Sequence, residues 1–251
     1  MDTDDVETVL VAGASGATGL EVLRLLGPRV PTVRGLTRSP DKRRLLRRAG
    51  ADEVVVDDLL DPTDLAGALD GVDVVVSTVG SGAEALLGSG PYVDGEGTRV
   101  LLDVAVTAGV EAFVMESAIG VGDDPASPLA TAFDLFIGPI QDAKAETESA
   151  LRSSPLRHTI LRPGVLTNGP RTDTVTVAEP GAKLYGAVSR ANVARLLAAA
   201  PVTVGAADAT FEVVGRPAFP DRAAALDWQL PGAGRTDSTV QVDVLDDVDK
   251  G

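Results

Sequence analysis

The segment Gly13-Ala14-Ser15-Gly16-Ala17-Thr18-Gly19 joins a short apolar run, Thr8–Ala12, to a run carrying Leu20, Leu23 and Leu26 at helical spacing. Few features restrict a chain more. A strand has to turn abruptly into a helix, which asks for glycine at the first position, where φ is positive or the backbone crowded. A second glycine lets the main chain approach a pyrophosphate, and a third lets the helix pack closely on the sheet. The open amides at the helix N terminus, together with the helix dipole, then favour an anion there. Three spaced glycines alone are a weak signal. Their place between the first strand and the first helix makes dinucleotide binding the expected role.

The rest of the chain repeats that alternation. Strands are expected at Thr32–Thr37, Val54–Val56, Val72–Val79, Ala112–Met115 and Thr159–Leu161. The valine-rich run Val72–Val79, five valines in eight residues, suits a strand buried on both faces. Between them, helices are expected at Asp41–Ala49 after Ser39-Pro40, at Pro62–Leu69 with proline in the first turn, at Gly97–Ala108 stopped by Gly109, and at Gln141–Arg152. Such a sequence calls for an α/β fold, a doubly wound parallel sheet of the Rossmann type. After Arg162 the pattern loosens into a β-rich excursion at Thr172–Ala178, a helix at Ser189–Ala200 capped by Ser189, and a late strand at Thr210–Val214. This reads as a small C-terminal elaboration on the substrate side. One domain is expected over residues 1–251, with a core of about residues 6–216 and an acidic tail of about 232–251.

Composition narrows the function. No apolar run reaches the roughly 18 residues of a membrane span, and the start Met1-Asp2-Thr3-Asp4-Asp5 is unlike a secretory signal. The absence of cysteine excludes disulfides, thiolate metal sites and a cysteine nucleophile, and the lone His158 excludes a polyhistidine site. The net charge is −15, with 26 Asp against 11 Glu and only four Lys. Such a surface repels polyanions, so nucleic acid is not an expected partner. High acidity with little lysine fits a halophilic setting, where screening shortens the Debye length to about 3 Å at 1 M salt; an acidic protein from a high-GC genome is the alternative. The expectation is a cytoplasmic protein, monomeric or a small homo-oligomer, with a small-molecule substrate.

Several further blocks keep a familiar order: Thr37-Arg38-Ser39-Pro40, Asp57-Asp58-Leu59, Ser77-Thr78-Val79-Gly80, Val93-Asp94-Gly95-Glu96-Gly97, Ala108-Gly109-Val110-Glu111-Ala112-Phe113-Val114 and Ile160-Leu161-Arg162-Pro163-Gly164. With the glycine turn, they make the chain resemble the atypical short-chain dehydrogenase/reductase family in its NmrA-like, NAD(P)H-binding branch, over about residues 6–216. The resemblance implies a dinucleotide held by Gly13, Ser15, Gly16, Ala17, Thr18 and Gly19. Asp58 and Leu59 would border the adenine, and Thr78, Val79 and Gly80 would follow the ribose and diphosphate. Pro163 would also contact the cofactor.

The second strand indicates which dinucleotide. A free ribose 2′-hydroxyl wants a carboxylate at its end, whereas a 2′-phosphate wants a cation. Residues 35–38 contain no acid, and Arg38 offers a planar charged fork beside Ser39. Seven cations lie between Arg34 and Arg48 in an otherwise acidic chain. NADP is therefore expected over NAD; a merely solvated basic helix face is the alternative.

The catalytic pattern breaks. Relatives carry Tyr-x-x-x-Lys on the helix after the fifth strand, a spacing that puts both side chains on one face. The Lys holds the nicotinamide ribose and lowers the Tyr pKa for proton exchange. Here Lys144 keeps its place while Ile140 occupies that of the Tyr, and neither Phe133 nor Phe136 upstream can transfer a proton. Lys144 could instead pair with Glu148 on a solvated helix face. In place of a Ser-Ser pair stand Ser117 and Ala118, preceded by Glu116, either a surface carboxylate or a catalytic acid. Lys144 and Ser117 are the candidate catalytic residues.

Three functions remain open. One is an NADP-dependent oxidoreductase acting on a small carbonyl or enone, since hydride transfer is chiefly the cofactor's chemistry. Another is a non-catalytic NADP(H)-sensing or scaffolding module. The third is an epimerase or dehydratase of the sugar-nucleotide type, which leans harder on the missing Tyr.

Overall fold

The computed structural model describes residues 1–2, 5–80, 92–121, 128–172, 174–181, 184–215 and 226–232, and for 128–138 the backbone only. In chain order the elements are β1 (Thr8–Ala12), α1 (Ala17–Leu26), β2 (Thr32–Thr37), α2 (Arg43–Ala49), β3 (Glu53–Val56), α3 (Leu65–Leu69), β4 (Val74–Ser77), α4 (Thr98–Ala108), β5 (Ala112–Glu116), α5 (Pro128–Ser153), β6 (Arg157–Pro163), β7 (Val165–Thr167), β8 (Thr176–Ala178), β9 (Ala187–Ser189), α6 (Arg190–Ala199) and β10 (Ala209–Val214). The main sheet runs β3-β2-β1-β4-β5-β6-β10-β8. Every neighbouring pair is parallel except β10 and β8. It is the doubly wound Rossmann arrangement, whose strand order reverses between β1 and β4 and opens a ligand crevice at the carboxyl ends of the strands.

Strand residues alternate between two buried layers. Val9, Val11, Val74, Val76, Val114 and Leu161 face one cluster with Val22, Leu23 and Leu26 of α1 and Val193, Leu196 and Leu197 of α6. Leu10, Leu36, Val75, Phe113, Met115 and Ile160 face the other, with Leu101, Leu102 and Ala105 of α4 and Leu151 of α5. Covered on both faces, the central strands have no solvent side to mark with polar residues, which accounts for their unbroken apolar runs.

Local signals hold where a cap sets the boundary. The Ser189 side chain accepts from the Asn192 amide at the start of α6, and Gly109 ends α4 in the left-handed region at φ +76°. Other boundaries differ from the sequence expectation. Pro62 stays outside α3, because the Asp64 side chain accepts from the Gly67 amide and caps a helix that starts only at Leu65. The strand expected over Val72–Val79 is only β4: Val72 is held in a turn to the Leu69 carbonyl, and Asp73 turns its carboxylate to the amides of Glu7 and Thr8. A helix that runs back to Pro128 replaces the shorter one expected at Gln141, and it contains Pro139. The short parallel pair β7–β9 was not expected.

Residues 226–232 pack onto the same layer as α1 and α6. Trp228 is fully buried against Phe211, with ring centroids 5.8 Å apart and planes at 77°. The packed core therefore reaches beyond residue 216. Residues 233–251, most of the expected acidic tail, lie outside the described residues. Among the described residues, no helix is long and apolar enough to cross a membrane.

Candidate functional site

The three glycines of the first turn have different reasons to be there. Gly13 has φ +71°, and a Cβ on it would stand 2.6 Å from the Thr78 carbonyl oxygen. On Gly19 it would stand 2.5 Å from the Gly13 oxygen and 2.8 Å from the Ala14 Cα. Both positions are required by the protein's own packing. Gly16, the N-cap of α1, is exposed, and a Cβ there would meet only the Gly13 oxygen, at 3.2 Å. Among the described residues nothing fills that face, so the open amides at the helix start are left accessible to an anion. The residues present fit a dinucleotide diphosphate.

Hydrogen bonds tie this turn to the neighbouring strand ends. Ala14 donates its amide to the Leu36 carbonyl at 3.1 Å, and the Thr37 hydroxyl donates to Ser15 Oγ at 3.0 Å. The Ser39 amide in turn donates to Thr37 Oγ1 at 3.2 Å. Arg38, between those two residues, is exposed and makes no hydrogen bond or ion pair among the described residues. Its basic neighbours are partly occupied. Arg34 binds Glu53 and the Ala68 carbonyl, Arg43 the Val54 carbonyl and Arg47 the Asp52 carbonyl.

On the other side of β1, the Thr78 hydroxyl donates to the Ala12 carbonyl at 2.9 Å; Val79 is buried and Gly80 exposed. Asp58 is half-buried and accepts from the Leu60 amide, and Leu59 is buried beneath Gly97. Adjacent Asp57 organises this loop. Burial pushes its carboxyl up, but the amides of Thr63, Asp64 and Asp58 and the Thr63 hydroxyl outweigh that and hold it below its ordinary value.

At the reacting end, Lys144 does not pair with Glu148. Its Nζ lies 2.8 Å from Asp94 Oδ1, both side chains being buried. Asp94 belongs to the turn Val93–Gly97 before α4, which approaches α5 so closely that a Cβ on Gly95 would stand 2.9 Å from that of Ala143. The pair lies beneath Gly80, whose Cβ would be 3.7 Å from Asp94 Oδ1. Ile140, one turn before Lys144, is half-buried. Phe133 and Phe136 fall in the part of α5 whose side chains lie outside the described residues.

Glu148 serves a separate network. Arg162 clasps it through two bonds of 3.0 and 2.6 Å, Arg152 adds a third at 3.0 Å, and the Ser117 hydroxyl donates to Oε1 at 2.6 Å. Ser117 is thereby committed to a buried carboxylate. Pro163 is buried at the end of β6, where its carbonyl accepts from the Ile119 amide.

The surface alternative for Glu116 is corrected by the fold. The residue is 8% exposed and shares the sheet face of Ala112 and Val114, toward α1, where the Thr18 hydroxyl donates to its Oε1 at 3.1 Å. Burial raises its pKa to about 7, against the opposing charges of Lys144 and Arg190 and the Thr18 hydrogen bond. Sequence reasoning missed Asp94 as the partner of Lys144, and it missed the Arg162–Glu148 clasp. Arg162 interrupts an apolar run, whereas Asp94 and Glu148 stand near other polar residues, Glu96 and Thr147, and carry no local signal of burial.

A family model described as NAD(P)H-binding matches residues 13–201. The Bacillus subtilis protein YhfK, named as an uncharacterised sugar epimerase, is 29% identical over 76% of this chain and 86% of its own length. Sanguinarine reductase of Eschscholzia californica is 29% identical over 66% of this chain and 72% of its own. A solved structure from Bacillus halodurans, proposed to be an NAD-dependent epimerase/dehydratase, superposes with a TM-score of 0.73 at 27% identity, over 85% of this chain and 96% of that one.

Proposed function

The chain belongs to the NAD(P)H-binding family, of atypical short-chain dehydrogenase/reductase type, and from that premise we propose that it is an NADP-dependent reductase of a small carbonyl or enone. The observation that carries the choice of NADP is Arg38. Among the described residues it stands free beside the Ser15–Thr37 link, at the end of a strand that offers no carboxylate to a ribose hydroxyl. The 29% identical sanguinarine reductase supports the reductase half.

When bound, a reduced nicotinamide supplies the hydride. The chain's own residues have to bind, orient and manage the proton. Gly16, Ala17 and Thr18 offer the helix N terminus to the diphosphate, and Arg38 and Ser39 take the 2′-phosphate. Lys144, steadied by Asp94 at 2.8 Å, is placed to hold the nicotinamide ribose. Ile140 cannot move a proton, so protonation falls to water or to another side chain at the edge of β5.

One observation favours a second reading, an NADP(H)-sensing module without turnover. Ser117 is bound to Glu148, and the Tyr position holds Ile140, so both groups that would touch a substrate oxygen are withdrawn. Calorimetric titration with NADP and NAD, paired with NADPH oxidation across a carbonyl and quinone panel, tests both readings. Arg38→Ala should lower NADP affinity by about tenfold or more and spare NAD, as loss of a charge-assisted contact of about 1.5–3 kcal/mol requires. Equal weakening of both cofactors would refute the NADP assignment. Silence of the wild type, with turnover gained by Ile140→Tyr alone or with Ala118→Ser, would favour the sensing module.

A further inference from the structure

Glu116 ends β5 with one carboxyl oxygen 3.1 Å from the hydroxyl of Thr18, the second residue of α1. The amides of Ala17 and Thr18, the first of that helix, belong to the same turn, while that of Gly16 is turned back to the Gly13 carbonyl at 2.9 Å. A charge on Glu116 and the charge of an anion bound there would therefore share one helix N terminus, with little water around the carboxyl to screen them. Like charges brought close in such a place disfavour ionisation of the weaker acid.

The surrounding charges do not relieve that conflict. From α1 the facing group is Thr18. From α5 it is Lys144, already held by Asp94 of the turn before α4. From α6 it is Arg190, which donates to Asn168 and to the Leu166 carbonyl. The adjacent strand β6 presents Leu161 in register, while Arg162 is turned to Glu148 on the opposite side of the sheet.

We infer that Glu116 takes up a proton when a dinucleotide binds, its carboxylate becoming a neutral carboxylic acid as the diphosphate settles on Gly16, Ala17 and Thr18, so that cofactor affinity is coupled to pH. This coupling presupposes the dinucleotide reading of the turn and adds a regulation of that same site. Before binding, burial already brings the carboxyl up to about 7, so the group has a proton to gain under ordinary conditions. The balance is simple: one proton from solvent and one carboxylate give one carboxylic acid, with no change of redox state.

The test is calorimetric titration of NADP into wild type and Glu116→Gln, in HEPES and in Tris, whose ionisation enthalpies differ and which do not compete as phosphates, between about pH 7.5 and about pH 8.5. That range lies above the second ionisation of the 2′-phosphate, at about pH 6, and any residual contribution from it persists in the variant. Wild type should take up most of one proton near pH 8 and lose roughly five- to tenfold in affinity per pH unit above 7. Glu116→Gln should show a flat profile and the same enthalpy in both buffers. Binding to wild type with buffer-independent enthalpy overturns the coupling, with or without a foldable variant. Proton uptake that survives in Glu116→Gln overturns the assignment to Glu116. Failure of NADP and NAD alike to bind at any pH overturns the dinucleotide reading itself, which separates the two failures.

Discussion

Glu116→Gln should stabilise the protein above neutral pH and hardly change it in mild acid. In an unfolded chain the carboxyl has its ordinary value of 4.5, whereas burial in the fold raises it to about 7. Below about pH 4.5 both states hold the proton and the residue costs nothing in ionisation. As the pH rises from there to about 7, the unfolded chain releases its proton first, so stability falls; above about 7 the loss levels off. The gap corresponds to about 3 kcal/mol at its full extent. Glutamine keeps an acceptor for the Thr18 hydroxyl and has no charge to desolvate. The variant should therefore match wild type within about 1 kcal/mol at about pH 5 and exceed it by about 2–3 kcal/mol at about pH 8. For a chain of this size that is a rise in Tm of about 5–10 °C. Thermal unfolding followed by circular dichroism at the two pH values reads it directly. A difference that does not change with pH, or one that favours wild type as pH rises, would refute the buried-carboxyl argument.

The glycines of the first turn should separate by role. Gly19→Ala, whose Cβ would stand 2.5 Å from the Gly13 oxygen, should lower stability by about 2 kcal/mol or more in urea denaturation. Gly16→Val should leave the fold largely intact and weaken NADP binding by over tenfold, about 1.4 kcal/mol. Arg162→Met, which strips two of the bonds to the fully buried Glu148, should cost about 3–5 kcal/mol, with much of it regained when Glu148→Leu is added; a cycle showing simple additivity would contradict a coupled pair. Trp228→Ala should cost about 3–5 kcal/mol by the same denaturation assay. A negligible effect would show that residues 226–232 are not part of the core.

What could be read from the amino acids alone was decided by near neighbours. The order of strands and helices, the glycine turn, the Ser189 cap and the Gly109 stop depend on steric and hydrogen-bonding rules that act within about one helical turn. Family resemblance then gave the same order of blocks a cofactor, and Arg38 without a nearby carboxylate pointed to a 2′-phosphate. The limits of local reasoning show first at the edges. Val72–Val79 looks uniform, yet only four of its residues pair as β4, because Asp73 answers to the amides of Glu7 and Thr8, more than sixty residues earlier.

The chemistry of the site was settled at still longer range. Glu116 looks like a strand-end surface acid until α1 folds over it and brings in Thr18, 98 positions away. Ser117 looks available until α5 presents Glu148, 31 positions on, already clasped by Arg162. Lys144 could have reached Glu148 along its own helix, but the close approach of Gly95 to Ala143 places Asp94 there instead. Trp228 stands alone in the sequence, with no periodicity to mark it as core, and becomes core by packing on Phe211. The physical reason is the same in each case. Backbone conformation responds to residues a few positions away, whereas the partner of a buried charge or ring is whichever group the packed layers bring within a few ångströms. That choice sets protonation and availability, and therefore function.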